Sequence, residues 1–260
     1  MPEDRARPDA GQWLDVSELV ARLEPALMPV PSAADFVCGR CHSSKTPGYR
    51  LCLPCQENQR VLHGYGNEVV PISMSLHMGR LHDHLRQYKD SPEAGVRYQM
   101  ATALGGLLVT YLTHHARCLS DWDLVCTVPS DRISHPLYEL IGRVRTLCEQ
   151  LTPALVANPA LRDIGRRAHP SRYVVVGDAV RGSRVLLIDD TFTSGGSLQS
   201  AAYALAQAGA SSVAPLVLGR HINPHWQPSQ TLLARLRDEP WDWGRCVICG
   251  PTSVGAPRLL

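Results

Sequence analysis

The chain has 260 residues, 44% of them hydrophobic and 19% charged: enough apolar material for one sizeable domain with an appendage or two small ones, and too much for a disordered or fibrous protein. Lysine and arginine total 26 against 24 acids, a formal charge of +2, which excludes a chain-wide basic field, so any polyanion must be held by a local site. Lys45 and Lys89 are the only lysines; the arginine excess reads as the codon bias of a GC-rich genome and carries little weight. Glu3, Asp4, Asp9, Asp15 and Glu18 interrupt the first twenty residues, so neither a secretory leader nor a transit peptide is expected. The longest largely apolar run, Ala103 to Leu112, is about half a bilayer span. The reading is a soluble, cytoplasmic protein with no membrane partner, whose nine cysteines are better explained by metal ligation than by disulfides.

In chain order, residues 1–35 read as a frayed start, one amphipathic helix around Trp13 to Leu27 and a Pro-containing linker. Residues 36–60 read as a separate small module, with almost no apolar periodicity from Cys38 to Cys55. Within them Cys38-x-x-Cys41 and Cys52-x-x-Cys55 lie ten residues apart, the spacing of a zinc ribbon whose four thiolates hold a tetrahedral Zn²⁺. Binding energy of order 10–16 kcal/mol folds such a module, and four thiolates leave no open position, so the zinc is structural. Residues 61–118 read as a helical connector with two helices, 76–89 and 93–117, where Gly105 and Gly106 suggest close packing.

From 119 to 222 the pattern changes to short apolar runs at 123–128, 173–176, 184–188 and 213–218, with helical candidates at 136–151 and 197–208. That alternation predicts an α/β core of buried parallel strands flanked by helices. Residues 223–260 form a Pro-rich tail with one short helix near 229–238 and a Cys246-x-x-Cys249 pair.

The most informative stretch is 185–197. Val185 to Ile188 make a strand buried on both faces, and Asp189 and Asp190 stand where it emerges at its C-terminal edge, the place where open α/β sheets bind ligands. The following Thr191 to Ser197 loop supplies hydroxyls and two glycines, so that backbone N–H groups can turn toward one point, and the helix behind it aims its positive end there. A Walker A loop is excluded because no lysine follows residue 89, and a dinucleotide fingerprint fails because the acids precede the glycines. Two acids, a hydroxyl-Gly-Gly loop and a helix suit a ribose 5-phosphate: carboxylates for the sugar hydroxyls, loop and helix end for the phosphate.

Residues 185–197 resemble the phosphoribosyl-pyrophosphate (PRPP) motif of type I phosphoribosyltransferases. With the upstream four-cysteine element, residues 36–222 resemble the ComF-like phosphoribosyltransferases. The resemblance implies a type I phosphoribosyltransferase-like parallel sheet behind an N-terminal zinc ribbon, with PRPP and Mg²⁺ as ligands. It implies Asp189 and Asp190 as catalytic residues on the ribose hydroxyls, and Thr193, Ser194, Gly195, Gly196 and Ser197 on the 5′-phosphate, with Thr191 in the same turn. The family's Arg-Gly-Phe-Asn-Gln stretch is missing after Thr127-Val128-Pro129, so Ser130 and Arg132 stand as candidate pyrophosphate contacts; Lys89, in a segment similar to the family's Phe-Lys-Tyr, is a third. The function implied is phosphoribosyl transfer with release of pyrophosphate. The alternative is an inactive PRPP- or nucleotide-binding accessory protein, linked to DNA uptake (competence), with the zinc ribbon docking protein or nucleic acid. A glutamine-hydrolysing amidophosphoribosyltransferase is not expected from a chain that begins Met1-Pro2-Glu3.

Cys246 and Cys249 supply two ligands only. They complete a second knuckle with a distant histidine, swap in at the first site, or stay reduced thiols. Cys118, Cys126 and Cys148 read as core filling, Trp241 and Trp243 as a packing lid, and the paired histidines His82/His84, His114/His115 and His221/His225 as ordinary imidazoles.

Overall fold

The computed structural model describes residues 16–119, 121–130 and 135–251. Helix α1 (Val16–Leu23) runs through a 3-10 turn into the linker, and α2 (Leu53–Val61) follows the second cysteine pair. Strand β1 (Val70–Leu76) leads to α3 (Arg80–Asp90) and α4 (Ala94–His115); β2 (Leu124–Thr127) is followed by the short helices α5 (Pro136–Gly142) and α6 (Arg145–Cys148). Strands β3 (Leu155–Ala157) and β4 (Tyr173–Val175) precede β5 (Arg184–Phe192), α7 (Gly196–Gln207), β6 (Ser212–Ile222), α8 (Gln227–Leu236), β7 (Arg245–Cys246) and β8 (Gly250–Pro251).

The central sheet is a four-stranded parallel sheet in the order β1-β6-β5-β2, flanked by helices on both faces. Side-chain alternation along β5 and β6 sorts the core into two layers. Leu186, Ile188, Leu216 and Leu218 pack with Leu81 and Leu85 of α3 and Leu104, Leu107 and Leu108 of α4. Val185, Leu187 and Val217 pack on the other face with Leu198, Ala201 and Leu205 of α7 and with Cys38, Cys41, Cys52 and Cys55. Gly106 of α4 meets α1 so closely that a Cβ there would lie 2.6 Å from Val20.

Three expectations need correction. The run 173–176 is not a strand of the parallel sheet: Tyr173–Val175 pairs antiparallel with β3 in a separate two-stranded ribbon, and Val174 and Val176 are about half exposed. The expected helix over 136–151 is broken after Gly142, where Val144 takes an extended conformation between α5 and α6. Residues 61–118 also hold, besides their two helices, strand β1, the sheet edge beside β6. Its alternating serines imitate a solvent-facing strand, yet Ser73 and Ser75 are fully buried, Ser73 by bonding the backbone of Met28. Pro71 lies on this outer strand, and Pro215 sits in β6 just before β1 pairing begins at Leu216, so neither ring removes a central ladder bond on both sides.

Among the described residues no helix is long and apolar enough to cross a membrane.

Candidate functional site

Strand β5 outruns its neighbour. Its last partner on β2 is Ile188, opposite Thr127, whereas on the β6 side pairing continues through Asp189, Thr191 and Phe192. The edge freed beyond Ile188 opens into a cavity of about 720 Å³, walled by Asp189, Asp190, Thr191, Thr193 and Ser197 together with α3, the end of β2 and the β3–β4 ribbon. The Asp190 N–H, left without a β2 partner, donates to Asp189 Oδ1 at 2.9 Å, which fixes the Asp189 carboxylate. Successive residues of a strand point to opposite faces, so the two acids straddle the sheet edge.

Asp190, 5% exposed, accepts a hydrogen bond from the Tyr88 hydroxyl and pairs with the Lys89 ammonium, both from the last turn of α3. Lys89 therefore stands at the cavity wall on a carboxylate, where the sequence offers it as a pyrophosphate contact. Among the described residues Asp189 has no ion pair of its own, and Lys89 and Arg172 act on it only from a distance. Burial first, and the neighbouring Asp190 carboxylate second, push its pKa up to about 7.

That shift has a sign. The folded protein holds a proton on Asp189 that the unfolded chain has released, from the ordinary carboxylate range near pH 4 up to about 7, so stability falls as pH rises through that window. Asp189→Asn is expected to flatten the dependence and to leave the variant more stable than the wild type at pH 8, by on the order of 2–4 kcal/mol. Thermal melts at pH 5 and pH 8 without added divalent ions measure it; a wild type equally stable at both, or a variant weaker at pH 8, contradicts the assignment.

The loop after β5 is shaped by two glycines. Gly195 sits at φ +79° as the N-cap of α7, with the Phe192 ring against its α-carbon, where a Cβ would lie 2.1 Å from the ring. At Gly196 a Cβ would lie 2.2 Å from the Arg166 carbonyl oxygen. The first helical bond of α7 joins the Gln199 N–H to the Gly195 carbonyl, so the N–H groups of Gly196, Ser197 and Leu198 have no partner within the helix. The positive end of α7 thus lies at the cavity floor beside Thr193 and Ser197.

Ser194 is placed differently from the rest of its motif. Its hydroxyl donates to the Arg166 carbonyl at 2.6 Å and its own carbonyl accepts from Asn58 of α2 at 2.8 Å, so the side chain braces the loop from behind. Of the candidate pyrophosphate contacts, Ser130 lines the cavity, and Arg132 lies outside the described residues.

Sequence reasoning missed several wall residues. Arg166 lines the cavity, and the buried Arg172 donates to the carbonyls of Gly165 and Arg167, holding the turn that covers Gly196. Arg86 adds a further cation. No spacing announces these arginines, because they come from helix α3, from the 165–168 turn and from the start of the ribbon, which meet the loop only in three dimensions. Tyr88 was legible only as an apolar helix position. His77, His82 and His221 also converge at the cavity, their ligand atoms within 4.8 Å of one another, and burial followed by the other two imidazoles holds His221 down to about 4.

The four-cysteine cluster sits behind this loop. All four sulfurs lie within 4.8 Å of one another, and Cys41 Sγ to Cys52 Sγ is 3.7 Å, close to the edge of about 3.8 Å of a tetrahedron with zinc–sulfur bonds of about 2.3 Å. The Cys52 N–H donates to Cys38 Sγ at 3.3 Å, and a main-chain N–H aimed at a sulfur favours the thiolate form that binds metal. The cluster is compatible with a structural zinc. The first pair lies in a tight turn closed by an antiparallel Val37–Ser44 bridge, with His42 at φ +57°, while Cys52 and Cys55 occupy the N-cap and first turn of α2.

Arg220 of β6 joins cluster to loop. Its Nε donates to the Cys41 carbonyl at 3.0 Å, its Nη1 to the Phe192 carbonyl at 3.1 Å, and its guanidinium stacks 4.9 Å from the centre of the Phe192 ring. Cys246 and Cys249 belong to a separate cluster at the end of α4, which corrects the core-filling expectation for Cys118; Cys148 is exposed, and only Cys126 of that trio is buried.

No family model matches the chain, and no curated protein does. Among solved structures it is similar to the allosteric regulatory enzyme of purine biosynthesis, at 21% identity over 45% of this chain and 26% of that one, with a TM-score of 0.31. It is similar as well to glutamine phosphoribosylpyrophosphate amidotransferase from B. subtilis complexed with ADP and GMP, at 18% identity over 51% of this chain and 30% of that one, with a TM-score of 0.29. The chain spans less than a third of the length of either protein.

Proposed function

We propose that the cavity at the C-terminal end of β5 binds PRPP and that the protein transfers its phosphoribosyl group with release of pyrophosphate. The observation that carries this reading is the meeting, in one cavity, of two adjacent strand-end carboxylates and the open end of α7. The α7 end and the hydroxyls of Thr193 and Ser197 take the 5′-phosphate, where unpaired N–H groups and the helix dipole favour a dianion. Asp189 and Asp190 accept from the two ribose hydroxyls and hold the ring, which fixes the sugar for attack at its anomeric carbon. They do not act as nucleophiles. Ser130 at the end of β2, with Arg86 and Arg166 on the walls, faces the departing diphosphate, whose charge the guanidinium groups offset.

The acids fit the magnesium that accompanies PRPP: Asp189 is a carboxyl raised by burial beside a second carboxylate, and a divalent cation would relieve both causes. When bound, Mg²⁺ neutralises the diphosphate as the glycosidic bond lengthens.

A second reading is favoured by the clamp on Asp190. With Tyr88 and Lys89 already on that carboxylate, the site resembles one that binds the ligand and stops there, as an accessory or sensing protein would. Calorimetry with PRPP and Mg²⁺, followed by a pyrophosphate-release assay across nitrogenous bases, separates the two: release supports transfer, saturable binding without release supports sensing, and no binding overturns both. Asp190→Asn is expected to weaken PRPP by on the order of 1–3 kcal/mol, the value of a charged hydrogen bond. Unchanged affinity removes Asp190 from the ribose.

A further inference from the structure

We propose that His115, Cys118, Cys246 and Cys249 form a second tetrahedral zinc site, distinct from the four-cysteine cluster and from the cavity, that fastens the C-terminal segment to helix α4.

The four ligand atoms lie within 4.8 Å of one another. His115 is the last residue of α4 and Cys118 lies on the 3-10 turn that follows, so the two side chains, three positions apart, share one helical face. From the other direction Cys246 and Cys249 frame the tip of the β7–β8 hairpin, in which Cys246 pairs with Gly250. His115 Nδ1 stands 3.5 Å from Cys249 Sγ and 3.9 Å from Cys118 Sγ. In a tetrahedron with Zn–N of about 2.05 Å and Zn–S of about 2.3 Å, nitrogen and sulfur are about 3.6 Å apart.

The imidazole is already oriented as a ligand. His115 is fully buried and its Nε2 lies 2.8 Å from the Trp243 carbonyl, an acceptor only, so the ring proton sits on Nε2 and the Nδ1 lone pair faces the thiols. A backbone carbonyl on the far nitrogen is the usual support of a metal-bound histidine, because it fixes both ring angle and tautomer.

The hairpin shares two features with the first cluster: a positive φ after its second cysteine, and a main-chain N–H aimed at a sulfur, supplied there by the second cysteine pair and here from within the turn. At Cys38–Cys41 the residue after the second cysteine, His42, takes φ +57°, and a main-chain N–H, that of Cys52, donates to Cys38 Sγ at 3.3 Å. At Cys246–Cys249 the residue after the second cysteine, Gly250, takes φ +66°, and the Ile248 N–H donates to Cys246 Sγ at 3.3 Å. N–H groups aimed at a sulfur stabilise a thiolate, the form that binds metal. Three thiolates and one imidazole close the coordination sphere, so the role is structural. The metal adds to the packing that holds Trp241, Trp243 and Val247 on the core layer formed by α3 and α4, where a hairpin of two-residue strands is marginal by itself.

Two measurements test the site on the full-length protein. Zinc per chain is counted by native mass spectrometry for the wild type and for Cys118→Ser with Cys249→Ser; the double variant is expected to hold one zinc fewer. Equal counts, or a wild type whose Cys118 and Cys249 are oxidised to a disulfide, overturn the proposal. Cadmium-113 NMR of the cadmium-substituted wild type needs no variant. It is expected to show one resonance in the four-sulfur range and a second in the three-sulfur, one-nitrogen range, whereas the absence of the second overturns it.

Discussion

Replacing Cys38 and Cys41 together with serine is expected to abolish binding at the β5–α7 loop as well as the order of residues 36–60. A zinc held by these four thiolates would contribute on the order of 10 kcal/mol to a module with no apolar core of its own, so its loss is expected to unfold the module. The damage spreads because the four cysteines lie in the same buried layer as Phe192, Leu198 and Ala201. Arg220 spans the two sites, with Cys41 on one side of its guanidinium and Phe192 on the other, and the Phe192 ring is the surface on which Gly195 rests. Asn58 of α2, which begins at the second cysteine pair, holds the Ser194 carbonyl from behind. Hydrogen exchange read on peptides spanning 188–200 measures the effect: the loop is expected to lose protection with residues 36–60. A loop as protected as in the wild type would show that the cysteine cluster is a separate appendage.

The second large effect is expected from a single methyl group. Gly196→Ala places a Cβ 2.2 Å from the Arg166 carbonyl oxygen, 2.6 Å from the Arg167 carbonyl carbon and 2.8 Å from the Ala168 nitrogen, all main-chain atoms. That backbone cannot rotate away like a side chain, since Arg172 donates two hydrogen bonds to it and Ser200 Oγ accepts a third from the His169 N–H. Either the turn lifts off the loop or α7 retreats from the cavity, and both disturb the helix end to which we assign the phosphate. Overpacking of a tight contact costs about 1–3 kcal/mol, and a rigid neighbour puts this site at the upper end. Gly105→Ala is the control: on α4 its Cβ would meet Val144 at 3.8 Å, ordinary contact, and the change is expected to stabilise the helix by about 0.5–1 kcal/mol. Chemical denaturation of both variants, with calorimetry against ribose 5-phosphate, reads the contrast; a Gly196→Ala protein with wild-type stability and affinity contradicts the packing described.

How far the sequence carried this picture depends on where each contact comes from. The strand Val185 to Ile188, the acids after it and helix α7 were legible because they are consecutive, and the four aliphatic residues mark a strand buried on both faces. The two cysteine pairs were legible by spacing alone. Strand β1 was not: Pro71, Ser73 and Ser75 carry the signature of a loop or a wet edge, and the Met28 backbone that satisfies the buried Ser73 hydroxyl lies more than forty residues earlier. Tyr173 to Val175 misled in the opposite sense, being apolar enough for a core strand while serving in a ribbon beside the cavity. Arg166 and Arg172 left no mark because an arginine in a turn looks the same whether it faces water or a ligand. The His115 cluster was not legible because Cys118, three residues on, reads as core filling in an apolar stretch and the other two cysteines lie more than 130 residues downstream.

Amide shifts in a ¹⁵N spectrum during titration with ribose 5-phosphate test the central point most directly, that the β5–α7 turn holds a sugar phosphate. The expected result is saturable movement concentrated at residues 189–198, largest for Gly196, Ser197 and Leu198. No saturable movement, or movement gathered elsewhere on the protein, would contradict it.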